Sequence, residues 1–229
     1  MEAGFFESRS KAQAAINQGE VWLNGVPVFK SSLEVDSASP LSIMPKNRYV
    51  SRAGEKLIAF LPQSEIIIVD KNCVDIGSST GGFTQVLLEA GAKRICAVDV
   101  GTEQLHVSLR SNPKVELYEQ TNVRDFIPPY DVDILTCDLS FVSTTSLLET
   151  LDNMRFKYAI ILFKPQFEVG KEAKRSKKGV LKESAPVSRS IRAFETKAAF
   201  LGWKLLLTLP SPIKGKEGNE EIFYAFKRD

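Results

Sequence analysis

"DIGSSTGGFTQVLLEAGAKRICAVDV", residues 75–100, reads as a strand end, a glycine turn, a helix and a second strand. Apolar residues lead into Asp75, stop at Gly77-Ser78-Ser79-Thr80-Gly81-Gly82, resume at helical spacing through Phe83, Val86 and Leu87, and lead again into Asp99. In an open α/β sheet such a turn lies beyond the carboxyl ends of the strands, where ligands bind. Gly77 allows a sharp exit from the strand, and Gly81 and Gly82 are expected to let the backbone approach a ligand. Ser78, Ser79 or Thr80 is expected to cap the helix, whose N-terminus favours an anionic group. Asp99, 24 residues after Asp75, is placed to accept hydrogen bonds from both hydroxyls of a ribose. The stretch predicts a nucleoside cofactor.

The spacing narrows the choice. A dinucleotide fingerprint runs G-x-G-x-x-G, and here Ser79 stands where its second glycine belongs. Asp-x-Gly-x-x-x-Gly-Gly-Phe followed by a ribose carboxylate resembles S-adenosylmethionine binding. The expected cofactor set is Asp75, Gly77, Ser79, Gly81, Gly82, Phe83, Asp99 and Asn122.

Outward from this unit, strands and helices alternate: "NCVDIG", helix 80–90, "RICAVDV", helix 102–110, "VELYEQ", "VDILTCDLS", helix 143–152, "YAIILF", helix 184–200, "WKLLLTL" and "EEIFYAFK". That order predicts a doubly wound, mostly parallel seven-stranded sheet, Rossmann-like, with the last two strands as an antiparallel edge hairpin. A helix precedes it in "YVSRAGEKLIAFL", limited by Pro62. Residues 1–48 differ: a helix in "SRSKAQAAINQG" ended by Gly19, a hairpin around Asn24-Gly25, and a short strand in "PLSIMP". The division expected is a small α+β unit over 1–48 and a catalytic domain over 49–229.

The 229 residues carry a net charge of +2, with 43% hydrophobic and 25% charged residues, which suits an ordinary globular core. Charge is uneven. Lys164 to Arg192 holds nine Lys/Arg against three Glu, a local +6, which leaves about −4 elsewhere. A basic segment on a near-neutral body suggests either an anionic partner at one place or a solvated loop. Cys73, Cys96 and Cys137, odd in number and without CxxC spacing, argue against a disulfide framework or a zinc site and for reduced buried thiols in a cytoplasmic protein; no metal is expected. The longest apolar runs, such as "AIILF", are too short to span a bilayer, and no signal-peptide pattern opens the chain.

A second constellation bears on the reaction. "TCDLSF" carries Asp138 to the crevice at the end of the fourth sheet strand, and "ILFKPQFE" carries Lys164 there from the fifth. Charged groups ending apolar strands are costly unless solvated or paired. With Lys56 and "GNEEIF" they form a possible Lys-Asp-Lys-Glu set. Pro128-Pro129-Tyr130 is similar to the loop of amino-group methyltransferases, but it precedes its strand instead of following it. A hydroxyl acceptor fits better. His106 lies in a predicted helix, where a surface or packing role is expected.

"YVSRAGEKL", "DIGSSTGGFTQVLLEAGA", "CDLSFVS", "FKPQFEVGK" and "SPIKGKEGNEEIF" together resemble the TlyA/hemolysin-A family of ribosomal RNA methyltransferases, which share an FtsJ-like catalytic domain. The resemblance implies S-adenosylmethionine-dependent methylation of ribose 2′-hydroxyls, with the family's catalytic lysine, aspartate, lysine and glutamate at Lys56, Asp138, Lys164 and Glu221. "SRSKAQAAINQGEVWLNGVPV" is similar to the RNA-binding domain of ribosomal small-subunit protein four, without the further helix with which family members usually begin. It implies ribosomal RNA or ribosomal subunits as partner. The RNA-binding residues expected are Arg9, Lys11 and Asn24 in that unit and Lys171, Lys174, Arg175, Lys177 and Lys178 in the basic segment. A nucleotide-dependent oxidoreductase, a non-catalytic RNA-binding or ribosome-assembly factor, and a hemolysin-like membrane-active protein stay open as alternatives.

Overall fold

The structure is a computed structural model and describes residues 5–6, 8–17, 19–24, 26–36, 39–43, 49–170 and 173–228. The chain divides into two compact units, Met1–Arg48 and Tyr49–Asp229. In the first, α1 (Arg9–Asn17) precedes β1 (Val21–Leu23), β2 (Val26–Pro27) and β3 (Leu41–Ile43). β1 lies between β2 and β3 and is antiparallel to both. Gly19, at φ 73°, ends the helix, and Asn24, at φ 50°, turns the hairpin; Gly25 lies outside the described residues. Among the described residues of this unit, only Ala15 and Val21 are buried apolar side chains, a core of the size expected for so short a segment.

The second unit runs α2 (Arg52–Ser64), β4 (Asn72–Ile76), α3 (Gly82–Glu89), β5 (Arg94–Val98), α4 (Val107–Arg110), β6 (Val115–Tyr118), β7 (Ile134–Cys137), α5 (Thr144–Asp152), β8 (Tyr158–Phe163), α6 (Pro165–Glu168), α7 (Ser184–Phe200), β9 (Trp203–Pro210) and β10 (Ile222–Arg228). These strands form one sheet in the order β6-β5-β4-β7-β8-β10-β9. The first five pair in parallel, and β10 is antiparallel to both β8 and β9. Helices cover both faces, so central strands are buried on both sides and read as unbroken apolar runs. In β8, Ile160 and Leu162 join Leu57, Phe60, Phe83 and Phe223 on one face, while Ala159, Ile161 and Phe163 join Leu148, Leu151, Phe194 and Tyr224 on the other.

Two expectations about helices are corrected. Pro62 does not stop α2: it lies inside the helix on the solvent face, while Phe60, Leu61 and Ser64 are buried. The chain leaves only at Glu65, in the left-handed region at φ 57°. The helix expected over 102–110 shrinks to α4. Residues 101–106 are held as a loop over the glycine turn, because the His106 N–H donates to the Thr80 carbonyl (3.2 Å) and the Ser79 hydroxyl donates to Gln104 Oε1 (3.2 Å). His106 is the N-cap of α4, accepting from the Ser108 N–H.

Candidate active site

From β4 the chain steps outward to β5 and β6, then returns to β7 on the other side of β4. The crevice at that reversal lies beyond Ile76 and Cys137. Gly77 leaves β4 at φ 78°, and a Cβ added there would stand 3.0 Å from the Asp138 carbonyl oxygen, so only glycine lets the two strand ends approach this closely. Ser79 holds a left-handed backbone at φ 45°, and its N–H donates to Asp99 Oδ2 at 2.9 Å. The other carboxylate oxygen of Asp99 accepts from the Gly101 N–H at 2.7 Å. Each oxygen keeps a lone pair. Beside them opens a cavity of about 220 Å³ lined by Gly77, Asp99, Asn122, Val123, Leu139 and Val142, with others. An apolar slot with a carboxylate at one end fits the base and ribose of a nucleoside.

Three residues of the expected cofactor set make contacts within the protein itself. The space beside Gly81 is filled by Leu105 and Leu109, and that beside Gly82 by Ser51, Ala53 and the Gly54 backbone. On the side where a side chain would stand, those glycines admit neighbouring protein. Asp75 is wholly buried, accepting from Thr84 Oγ1 (2.6 Å) and Thr136 Oγ1 (2.8 Å). It ties β4 to α3 and β7 beneath the turn. Burial, opposed by those two hydrogen bonds, pushes its carboxyl up to about 6. No serine or threonine caps α3 either; its N-cap is Gly81 at φ 97°. Phe83, 2% exposed, forms part of a cavity wall and stacks on Phe223.

A second cavity of about 730 Å³ adjoins the first, with Gly77 and Ser140 common to both linings. Lys56, Asp138, Lys164 and Glu221 all line it. Lys56 Nζ meets Glu221 Oε2 at 2.6 Å and Lys164 Nζ meets Asp138 Oδ1 at 2.7 Å. Lys56, Lys164 and Glu221 are 6%, 8% and 3% exposed, so these are two buried ion pairs whose formal charges cancel. Removing one member of such a pair strands its partner's charge. Lys164 also donates to Ser140 Oγ at 2.8 Å, whereas its contact with Asp138 Oδ1 lacks hydrogen-bond alignment and acts as a charge pairing. Gln166 Nε2 donates to the second oxygen of Glu221 at 3.2 Å. Glu220 faces away and pairs with Lys214. Ser140, Gln166 and Asn219 escaped the sequence reading; their only signal was adjacency, each lying two residues from a charged member of the set.

The rim is aromatic and basic. Phe141 is 91% exposed and held at φ 68°, an unusual backbone for a bulky side chain, with its ring 5.2 Å from that of Phe167. Both line the larger cavity. The basic segment folds into a small hairpin: Arg175 bridges Leu181, and the Lys182 N–H donates to the Lys174 carbonyl. Lys177 and Lys178 stand exposed at its tip. Lys174 pairs with Glu183 at 3.2 Å. Arg175 turns inward to the carbonyls of Gln166, Gly170 and Ala173, so it builds the loop before it can meet a phosphate. Lys171 lies outside the described residues. Arg9, Lys11 and Asn24 are exposed in the first unit. Pro128-Pro129-Tyr130 lines neither cavity; Tyr130 lies under Arg94, its ring centroid 3.7 Å from the guanidinium carbon. Among the described residues no His, Cys, Asp and Glu group could hold a metal, and no helix is long and apolar enough to cross a membrane.

Comparison with known proteins adds to this geometry. The model of the FtsJ-like methyltransferase family matches residues 49–228, and that of the S4 domain matches residues 2–38. The chain is 47% identical over 238 aligned positions to a 23S rRNA (cytidine-2′-O)-methyltransferase, TlyA, of Campylobacter jejuni, covering 96% of this chain and 94% of that one. It is 37% identical to the 16S/23S rRNA (cytidine-2′-O)-methyltransferase TlyA of Mycobacterium tuberculosis, covering 96% and 84%. Among solved structures, a protein from Lactococcus lactis described as a hemolysin superposes with a TM-score of 0.75 at 37% identity, covering 80% of this chain and 90% of that one.

Proposed function

The chain belongs to the FtsJ-like methyltransferase family, and from that premise we propose that it methylates a ribose 2′-hydroxyl of ribosomal RNA with S-adenosylmethionine as donor. The observation that carries the reading is the pair of buried lysine–carboxylate contacts lining one cavity, next to a nucleoside-shaped slot. When bound, the cofactor supplies an electrophilic methyl group on a sulfonium. Asp99 would hold its ribose, the slot by Asn122 and Val123 its base, and the Gly77–Ser79 backbone its remaining polar groups.

A ribose hydroxyl is a weak nucleophile, so the protein must hold it in line and manage one proton. Lys164 Nζ has three donor positions, with Asp138 and Ser140 close to two of them. The third is left for the 2′-oxygen, with an oxygen lone pair turned toward the cofactor. As the oxygen takes the methyl group, the hydroxyl proton passes to the Asp138 carboxylate, the acceptor of the pair, because an ammonium has three N–H donors and no lone pair to receive it. Lys56, fixed by Glu221, presents its remaining N–H groups to the same cavity, where they can donate to the substrate. Phe141 offers its exposed face to the acceptor base, as single-stranded RNA is commonly gripped by stacking. Lys177 and Lys178, together with Arg9, Lys11 and Asn24 of the first unit, meet the RNA backbone. A ribosomal RNA substrate implies action in the cytoplasm.

The test is transfer of labelled methyl from S-adenosylmethionine to ribosomal subunits, with binding assayed in parallel. Lys164→Ala is expected to bind cofactor and RNA nearly as well as the parent and to lose about 10²-fold or more in transfer. Lys164→Arg should not rescue it, because a planar fork cannot reproduce the single-point contact of Nζ with Asp138, Ser140 and the 2′-oxygen. Near-parental turnover by Lys164→Ala would remove the proposed centre.

A further inference from the structure

Lys164 and Asp138 stand on two different loops, one after β8 and one after β7, and their 2.7 Å contact needs those loops held in register. A buried ion pair does not fix its own geometry, since neither strand end is constrained by the pair alone. The fastening lies a few residues further on. Glu168, at the end of α6 and four residues after Lys164, reaches to the N-cap of α5, Ser143, five residues after Asp138. Its Oε1 accepts from the Thr144 N–H at 2.6 Å. Its Oε2 accepts from Ser143 Oγ at 2.6 Å and, more weakly, from the Thr145 N–H at 3.4 Å. A carboxylate receiving backbone N–H groups at a helix N-terminus gains both hydrogen bonds and the favourable end of the helix dipole. The two loops are thus joined at three levels: Lys164 with Asp138 and Ser140, Phe141 against Phe167, and Glu168 on Ser143 to Thr145.

We infer that Glu168 is a positioning residue for methyl transfer, setting the approach of Lys164 to Asp138 by clamping α6 to the N-terminus of α5. It touches neither substrate nor cofactor. It acts through the rigid turn of Pro165 to Phe167, where a displacement of about an ångström is enough to cost on the order of 10²-fold in rate. The inference rests on the proposed function for its catalytic readout, but not for its structural one.

The experiment compares Glu168→Gln, Glu168→Ala and the milder Ser143→Ala with Asp152→Asn. Asp152 binds Trp203 and Arg228 and lines neither cavity, so its variant reports the effect of reduced stability alone. Glu168→Gln keeps one acceptor oxygen where the carboxylate has two, and should lie between the parent and Glu168→Ala. The expected result is a fall in kcat of roughly 10-fold to 10²-fold with KM for cofactor and RNA within about twofold, and a displaced pH profile of kcat. The lysine side-chain NMR signal of Lys164 should move in the Glu168 variants and in Ser143→Ala, and stay in place in Asp152→Asn. Unmoved Lys164 signals, or a kcat loss matched by Asp152→Asn, would overturn the clamp. If Glu168→Ala does not fold, Ser143→Ala and Glu168→Gln carry the same comparison. Absence of methyl transfer by the parent protein counts against the proposed function alone, since the Lys164 signal still decides the clamp.

Discussion

Asp75 occupies a position where a sequence reading expects a ligand contact, and it is wholly buried, with Thr84 and Thr136 hydrogen-bonded to its carboxylate. Burial raises its carboxyl from 3.8 to about 6, against the lowering effect of Thr84 and Thr136. The folded state therefore binds more proton than the unfolded state between those values, so this residue's contribution to stability is lost as pH rises from about 4 to about 6 and is constant above. The shift corresponds to about 3 kcal/mol of opposition to folding at neutral pH. Asp75→Asn is expected to abolish that component, and the difference between parent and variant in denaturant unfolding, measured from pH 4 to 8, should change through this window and be flat beyond it. A difference independent of pH would show the carboxyl to be ordinary. Asp99 is the opposite case, a carboxylate facing a cavity; Asp99→Ala should weaken S-adenosylmethionine binding by roughly 1–3 kcal/mol, as calorimetry would show. Asp138 and Lys164 were legible because they end apolar strands, where charge is conspicuous, whereas Glu221 and the roles of the set were implied by the family resemblance. The duties of Gly81 and Gly82 were not legible, because a missing side chain looks the same whether ligand or Leu105 fills the space.

At the scale of elements, strands and long helices followed from apolar periodicity, and the failures cluster where tertiary hydrogen bonds outweigh it. A helix was expected over residues 102–110, where Leu105 and Leu109 are four apart, but the Thr80 carbonyl and the Ser79 hydroxyl hold residues 101–106 open above the glycine turn. The basic hairpin is a case where charge alone misleads about individual side chains. Arg175 holds the loop together, Lys174 is paired with Glu183, and Lys177 and Lys178 are presented at the tip. Asn219 fixes the far arm, accepting from the Leu181 N–H at 3.0 Å and donating to the Gly179 carbonyl at 3.3 Å. Replacing Lys177 and Lys178 with alanine should therefore weaken RNA binding and reduce its salt slope by about 2, one for each phosphate no longer neutralised. Arg175→Ala should instead increase protease cleavage within 173–183. Equal effects of both changes on the salt slope would contradict this division of roles.

Across the whole molecule the sheet order accounts for what the chain order leaves scattered: residues 56, 138, 164 and 221 line one cavity because β7, β8 and β10 are neighbours and α2 packs beside them. Cys73, Cys96 and Cys137 sit one to a strand in β4, β5 and β7, and burial pushes their thiols up to about 12, 11 and 12. They should resist alkylation at pH 8 in the native protein and all react in denaturant, so that labelling follows unfolding of the sheet; a thiol labelled under native conditions would mark a local opening. The placing of β10 between β8 and β9 has a temporal side. β9 is made before β10, yet β10 is its only neighbour in the sheet, and the residue that anchors Lys56 directly precedes β10. A nascent chain that has reached β9 carries an eight-residue strand with bare edges and no partner. Methyl transfer is therefore expected only from a chain that has reached β10, and a stop codon between β9 and Glu221 is expected to yield an aggregation-prone fragment instead of a weakened enzyme.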